Sequence, residues 1–292
     1  MHHALPTLTT PTLATLIGLS LAAPALADTL PDPATDPSGF ARAAMQRVEE
    51  RPDGRDSVAR TEIEITDRFG ETTICNILRL RRDFGPAEED AYTFSFIAGP
   101  EEMAGTRVLT MDYGDADRAD EQFILIPGID EVKRIAVDSY QSKLMGSDIT
   151  YGDLSSRDLD LYDFTYEGKE QVEDWTTHVI SFTPRTQDEI DRFGYVSGKV
   201  WVDPETWLVV RSVFQMTQPG QSKLFMTHAV EQVDGYWSPS DMTFVTQQDG
   251  HVMSATKMRL FDQRYDVGLP EDLFRTESLL ATGSADLLPV RF

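Results

Sequence analysis

The feature that most narrows the folds open to this chain is a long succession of short alternating segments separated by hairpin turns. From Val58 onward, apolar and polar residues alternate through Glu62-Ile63-Glu64-Ile65-Thr66, turn at Asp67-Arg68-Phe69-Gly70 and return over residues 72–82. Period-two alternation sends successive side chains to opposite faces, so the two runs predict a β-hairpin. Further strands are predicted at residues 92–97, 107–113, 122–126, 131–137, 164–167, 176–183, 197–202, 208–216, 223–233, 236–247 and 252–261. Asp203-Pro204-Glu205-Thr206 suits a type I turn, and Asp234-Gly235 and Asp249-Gly250 suit hairpin turns. One substantial helix is predicted. It starts at Asp36 or Ser38, carries Phe40, Ala44 and Val48 on one face with Ala41 and Met45 beside them, and ends by Pro52-Asp53-Gly54. Residues 144–162 read as a loop followed by a short helix, residues 186–192 as a helical turn, and residues 269–274 as the segment that closes the domain. The expected fold is α+β and β-dominated, one domain built on a single antiparallel sheet. A sheet of so many strands must curl or close.

The first residues belong to a different physical class. Residues 13–26 are apolar and uncharged and end in Ala25-Leu26-Ala27, the small-x-small pattern of a cleavage site. The expectation is an exported chain, cut after Ala27, with residues 28–292 as the folded domain. No cysteine stands at the cleavage site, so no lipid anchor is expected. The single cysteine, Cys75, lies inside a predicted strand and cannot form an internal disulfide. The net charge of −23 falls wholly on the domain, since residues 1–27 contain no Asp, Glu, Lys or Arg. Such a surface repels nucleic acid, whose binding needs basic contacts to phosphate. It also limits contact with anionic membranes to transient visits.

Chemistry-bearing motifs are scarce. After the leader, only His178, His228 and His251 remain, singly placed and without metal-ligand spacing. There is no nucleophile elbow, dinucleotide fingerprint or phosphate-binding loop. The expectation is a protein that is not an enzyme, with no metal and no cofactor. The strands instead carry large, soft apolar residues in alternation: Tyr92, Phe94, Phe96, Leu109, Met111, Phe123, Leu125, Trp201, Phe214, Met216, Met226 and Phe244. Two readings stand side by side. These residues fill a core, or they line a cavity for acyl chains, which aromatic and Met walls accommodate well.

Within residues 144–162 the run Gly146-Ser147-Asp148-Ile149-Thr150-Tyr151-Gly152-Asp153-Leu154 resembles the G-S-D-[FI]-[ST]-Y-x-D-L signature of LolA-like outer membrane lipoprotein-sorting proteins. The resemblance extends to Ala43-Ala44-Met45, Phe123 to Ile126 before Pro127, Val132-Lys133-Arg134-Ile135, Pro184-Arg185, Trp201-Val202-Asp203 and Leu269-Pro270-Glu271-Asp272-Leu273-Phe274. It implies a half-open β-barrel with helices over its concave side. It further implies a soluble periplasmic protein that binds lipid or lipoprotein acyl chains, with an inner-membrane transporter or an outer-membrane acceptor as partner. The alternative use of the same fold is a sensor or interaction module of an envelope or lipid-exporting transporter complex. For the motif itself two roles are open. In one, Gly146 forms a tight loop, Ser147 and Asp148 satisfy backbone donors, and Tyr151 and Leu154 pack; in the other, Gly146, Ser147, Asp148, Tyr151, Asp153 and Leu154 gate a ligand or form a docking surface.

Overall fold

A computed structural model describes residues 30–281, apart from 86–87, 116–117, 130, 137–139 and 156. The expected leader, residues 1–27, lies outside the described residues. Helix α1 (Pro37–Glu49) begins with Asp36, whose carboxylate accepts a hydrogen bond from the Gly39 amide at 2.8 Å. Pro37 opens the helix, where its missing amide proton costs nothing. Phe40, Ala41 and Ala44 are buried along one stripe.

Thirteen strands follow among the described residues, and each predicted strand has its counterpart. They are β1 (Asp56–Thr66), β2 (Thr72–Phe84), β3 (Asp90–Gly99), β4 (Arg107–Asp112), β5 (Glu121–Leu125), β6 (Val132–Arg134), β7 (Tyr162–Val172), β8 (Trp175–Pro184), β9 (Tyr195–Val202), β10 (Val209–Met216), β11 (Gln221–Val233), β12 (Tyr236–Gln248) and β13 (His251–Tyr265). Helix α2 (Gln187–Phe193) links β8 to β9. The strands form one antiparallel sheet in the order β6-β5-β4-β3-β2-β1-β13-β12-β11-β10-β9-β8-β7. Every strand pairs with a sequence neighbour except at the seam, where β1 meets β13 from Ser57 opposite Tyr265 to Thr66 opposite Ala255. β6 and β7 are the open edges, so the barrel is half closed.

Physical causes of the curl are visible in the register. Right-handed twist accumulates over so many strands, and bulges sharpen it. Register shifts fall at Val58/Arg60 in β1, Tyr166/Gly168 in β7 and Thr227/Ala229 in β11. The β11–β12 and β12–β13 turns place Asp234, Gly235, Asp249 and Gly250 at positive φ, as a type I′ turn demands.

Cross-strand partners share a face, so the two faces can be followed around the whole sheet. The convex face of β1–β5 carries Val58, Leu78, Leu80, Phe94, Leu109 and Leu125, and all are buried. Their cover is the C-terminal segment, whose Leu269, Leu273, Phe274 and Leu279 complete the cluster. That segment is pinned electrostatically. The buried carboxylate of Asp56 accepts the amides of Val267, Gly268 and Leu269, while Arg82 and Arg107 donate to the carbonyls of Leu269 and Leu279. On the concave side, α1 packs over β7–β9, with Phe40, Ala41 and Ala44 against Phe164, Ile180, Phe182 and Val200.

Residues 144–162 depart from expectation. The expected loop contains 3₁₀ turns at Leu144–Gly146 and Tyr151–Leu154, and the short helix expected after it is reduced to one 3₁₀ turn at Leu159–Leu161. Within the loop, Met145 and Gly146 take left-handed backbone conformations that reverse the chain. Side-chain bonds to the sheet replace the helical ladder, as described next.

Candidate functional site

The segment between β6 and β7 crosses the concave side and is fastened to both halves of the sheet. Its main anchor is Asp148, fully buried against β12 and β13. The Asp148 carboxylate accepts hydroxyl hydrogen bonds from Thr246 at 2.5 Å, Thr256 at 2.8 Å and Ser254, and Lys143 Nζ lies 3.5 Å away. Toward the other edge, Gln122 of β5 donates to the Tyr151 carbonyl and to Ser155 Oγ, each at 2.9 Å. Gly146 sits at φ +77°, a conformation L side chains rarely adopt, which lets the chain reverse before Ser147. Ser147 Oγ accepts from the Ile149 amide at 3.2 Å, a local loop bond. Asp148 differs from the structural role read in the sequence: it serves sheet hydroxyls rather than backbone donors of its own loop.

A second anchor is a buried charged group. Asp153 forms a capping box with Thr150, which orients its carboxylate toward β9 and β11. There Lys223 Nζ donates to Asp153 Oδ2 at 2.5 Å and to the Tyr195 hydroxyl at 2.7 Å, and Tyr195 donates to Asp153 Oδ1 at 2.7 Å. Arg157 comes within 3.5 Å of Asp153, and its guanidinium lies 4.8 Å from the Phe193 ring centroid. Burial acts to raise the Asp153 pKa, but Lys223 and Arg157 outweigh it and hold the group below the usual carboxylate range. Burial draws Lys223 below the usual lysine range, with Asp153 opposing.

Beneath and beside this segment the concave face leaves two adjoining cavities. The first, about 430 Å³, is walled by β1–β4, β12 and β13 and floored by Leu144, Met145, Ile149 and Leu154. Its apolar lining includes Ile63, Ile77, Ile97, Val108, Met258 and Leu260. The second, about 370 Å³, lies between α1 and β7–β12, with Met45, Val48, Phe164, Phe182, Phe214 and Phe225 on its walls. Phe182 owes its pose to Gly198 opposite, where an added Cβ would stand 2.2 Å from the ring. Asp153 and Phe244 border both cavities. Each volume lies in the range of about 300–1,000 Å³ typical of small-molecule sites.

At the second cavity, Glu49 faces the opening from the end of α1. Burial, opposed by Arg42 and reinforced by Asp158 and Glu50, pushes its pKa up to about 7. The folded protein therefore binds a proton that the unfolded chain releases between the ordinary glutamate range and pH 7. Stability is expected to fall as pH rises through that window. Thermal melts from pH 5 to 8 check this, and Glu49→Gln should flatten the slope.

The structure divides the sequence-predicted residues sharply. Tyr92, Phe94, Phe96, Leu109, Met111, Phe123 and Leu125 do share one face, but it is the convex one, packed under the C-terminal segment. Trp201 is also on the convex side, in a cluster with Val172, Val179 and Val210. Met226 stands opposite Arg211, the partner of Trp201, and so faces outward with them. Phe214 and Phe244 line the cavities, and Met216 packs beside Phe214 near Tyr195. Of the motif, Leu154 and Asp153 border the first cavity, while Gly146, Ser147, Asp148 and Tyr151 shape and fasten the loop. Missed in the sequence were the smaller aliphatic wall residues Ile63, Ile77, Ile97 and Val108. The signal was present in the period-two alternation, where Ile97 and Val108 stand next to Phe96 and Leu109 and Ile63 and Ile77 mark the same face of β1 and β2, but aromatic bulk pointed to the other face.

His178 is spent in packing: its ring lies 5.0 Å from Phe40 and its Nδ1 is 3.2 Å from the Tyr166 hydroxyl. His228 pairs with Thr243 at 2.9 Å. Among the described residues, no group of three or more His, Cys, Asp or Glu is placed to hold a metal ion. No described helix is long and apolar enough to cross a membrane.

Comparison with solved structures places this architecture. A crystal structure of a DUF1329 family protein from Desulfovibrio piger superposes with a TM-score of 0.76 at 24% identity, covering 84% of this chain and 99% of that one. An outer membrane lipoprotein-sorting protein domain from Vibrio parahaemolyticus gives 0.73 at 22% identity, covering 84% and 100%. A LolA superfamily protein from Nitrosomonas europaea gives 0.60 at 14% identity, covering 82% and 98%. No curated protein matches the sequence significantly. A family model described as an uncharacterized protein matches residues 89–281, most of the described domain. The chain belongs to the family that this model describes, and its half-open barrel, with the motif segment across the concave side, has the LolA-like fold.

Proposed function

We propose that this protein is a soluble carrier of the cell envelope that shelters the acyl chains of lipids or lipoproteins in its concave cavities. The observation that supports the reading is the pair of largely apolar cavities between the sheet and the segment that crosses it. A filled concave side would have favoured an interaction module instead. The energetics suit a carrier. Burying each CH₂ is worth roughly 0.8 kcal/mol, so a sixteen-carbon chain represents about 12 kcal/mol. Release into water is prohibitive on that scale, so delivery requires direct hand-off to an inner-membrane transporter or outer-membrane acceptor. Export through cleavage after Ala27 would place the chain where such partners are.

The test is organic extraction of protein purified from the periplasm, followed by mass spectrometry. Near-stoichiometric lipid or lipopeptide is expected. Ser95, a small residue on the wall of the first cavity, provides the control. Ser95→Trp should fill the space and cut the extracted lipid several-fold while leaving the fold intact. Lipid-free parent protein that also ignores a fluorescent fatty acid would overturn the carrier reading.

A further inference from the structure

The first cavity is graded along the strands from polar to apolar. Strand register sets its side chains in successive cross-strand levels. The outermost level aligns Tyr265, Ser57, Arg81, Thr93 and Thr110. The next aligns Ala59, Arg79, Ser95 and Val108. Below it come Leu260, Thr61, Ile77 and Ile97, and then Met258, Ile63 and Cys75. Polarity thus declines over about four levels while the wall stays continuous, the profile of a site for a molecule with one polar end.

The polar end also has a sign. Arg81 is committed, with Asp83 at 2.8 Å and Asp53 at 3.2 Å. Arg51 donates to the Trp237 carbonyl at 2.8 Å. Arg79 is different: among the described residues it makes no hydrogen bond and no ion pair, although the molecule carries 49 acidic residues. Its side chain is exposed on the cavity wall beside Arg81, and Asp53 and Asp112 act on it only as neighbouring charges without a bonded contact. A guanidinium with no committed partner is free to form charge-assisted hydrogen bonds with an incoming anion. One level below and on the adjacent strand, within diagonal reach, Thr61 Oγ1 is buried on the same wall with no hydrogen-bond partner among the described residues. An uncommitted guanidinium and an unsatisfied buried hydroxyl therefore stand where the cavity turns from polar to greasy.

From this we infer that the first cavity takes an anionic amphiphile. Its carboxylate or phosphate pairs with Arg79 beside Thr61, and its acyl chain runs toward Ile63, Ile97 and Met258. The guanidinium offers the planar two-donor geometry that suits either anion. The second cavity does not share this design, because its cations Lys223 and Arg157 already face Asp153. The inference rests on the carrier reading and adds the charge of the cargo.

Delipidated protein titrated calorimetrically at pH 7.5 with a sixteen-carbon fatty acid, an alkyl phosphate of equal length and the matching fatty alcohol tests it. The anions are expected to bind at least about tenfold more tightly than the alcohol, the worth of one charge-assisted hydrogen bond. Arg79→Gln should abolish that preference without weakening the alcohol, and Arg79→Lys should restore much of it. The fatty acid and the phosphate arms decide which anion fits better, and a preference in either supports the assignment. Equal binding of anion and alcohol, unchanged by Arg79→Gln, would overturn the headgroup site and leave the carrier intact. Failure of all three probes to bind removes both.

Discussion

Replacing Asp153 with alanine is expected to cost the folded protein about 3–5 kcal/mol, the scale of an uncompensated buried charge. The Lys223 side chain is only 4% exposed, and in this variant it keeps the Tyr195 hydroxyl but loses its counter-ion. The capping box with Thr150 goes too, freeing the turn that carries the motif across the concave side. The deficit has a pH signature. Without Asp153 the folded-state pKa of Lys223 drops further below its unfolded value of about 10.4. The penalty is then fully present near pH 7 and fades as pH rises toward 10. Adding Lys223→Met should recover part of the loss, because no orphaned ammonium remains. Urea denaturation of the parent, both single variants and the double variant gives the coupling directly.

Phe94→Ala is expected to cost about as much, 3–5 kcal/mol, for a different reason. Phe94 is nearly inaccessible in the convex cluster, at the centre of the face covered by Leu273, Phe274 and Leu279. Truncation leaves a void between the sheet and the C-terminal segment, which the bonds from Asp56, Arg82 and Arg107 hold in place and prevent from collapsing fully. The informative part is what stays the same. Since Phe94 faces away from both cavities, the variant protein, below its melting temperature, should bind acyl chains with unchanged stoichiometry. Melting curves read the first effect and probe titration the second.

These two residues mark where the sequence was legible and where it was not. Alternation identified each strand and showed that Tyr92, Phe94 and Phe96 share a face. Alternation is symmetric, however: it says which residues are together and not which side curls inward. The direction of curl is a property of accumulated twist and bulges over the whole sheet. Residues 269–274 were recognised as closing the domain, but nothing local shows that Leu273 and Phe274 cap the aromatic face from outside. The short helix expected within 144–162 shrank to one 3₁₀ turn for a related reason. The bonds that organise that segment run from Asp148 to Thr246, Ser254 and Thr256, about a hundred positions away, where no local propensity can register them. Family resemblance carried the architecture correctly, because the motif that marks it is the piece fastened across the concave side. Arg79 was invisible as a feature, being one arginine among several in an Arg-rich strand until the register placed it on the cavity wall without a bonded partner.

All of this depends on the inward face of the sheet being the one that meets hydrocarbon. A fatty acid bearing a photoreactive diazirine near its methyl end, activated in complex with the purified protein and mapped by peptide mass spectrometry, reads that face directly. Adducts are expected on Ile63, Ile77, Ile97, Leu154 or Met258. Adducts confined to Phe94, Leu109 or Leu273, or spread without preference over the surface, would contradict it.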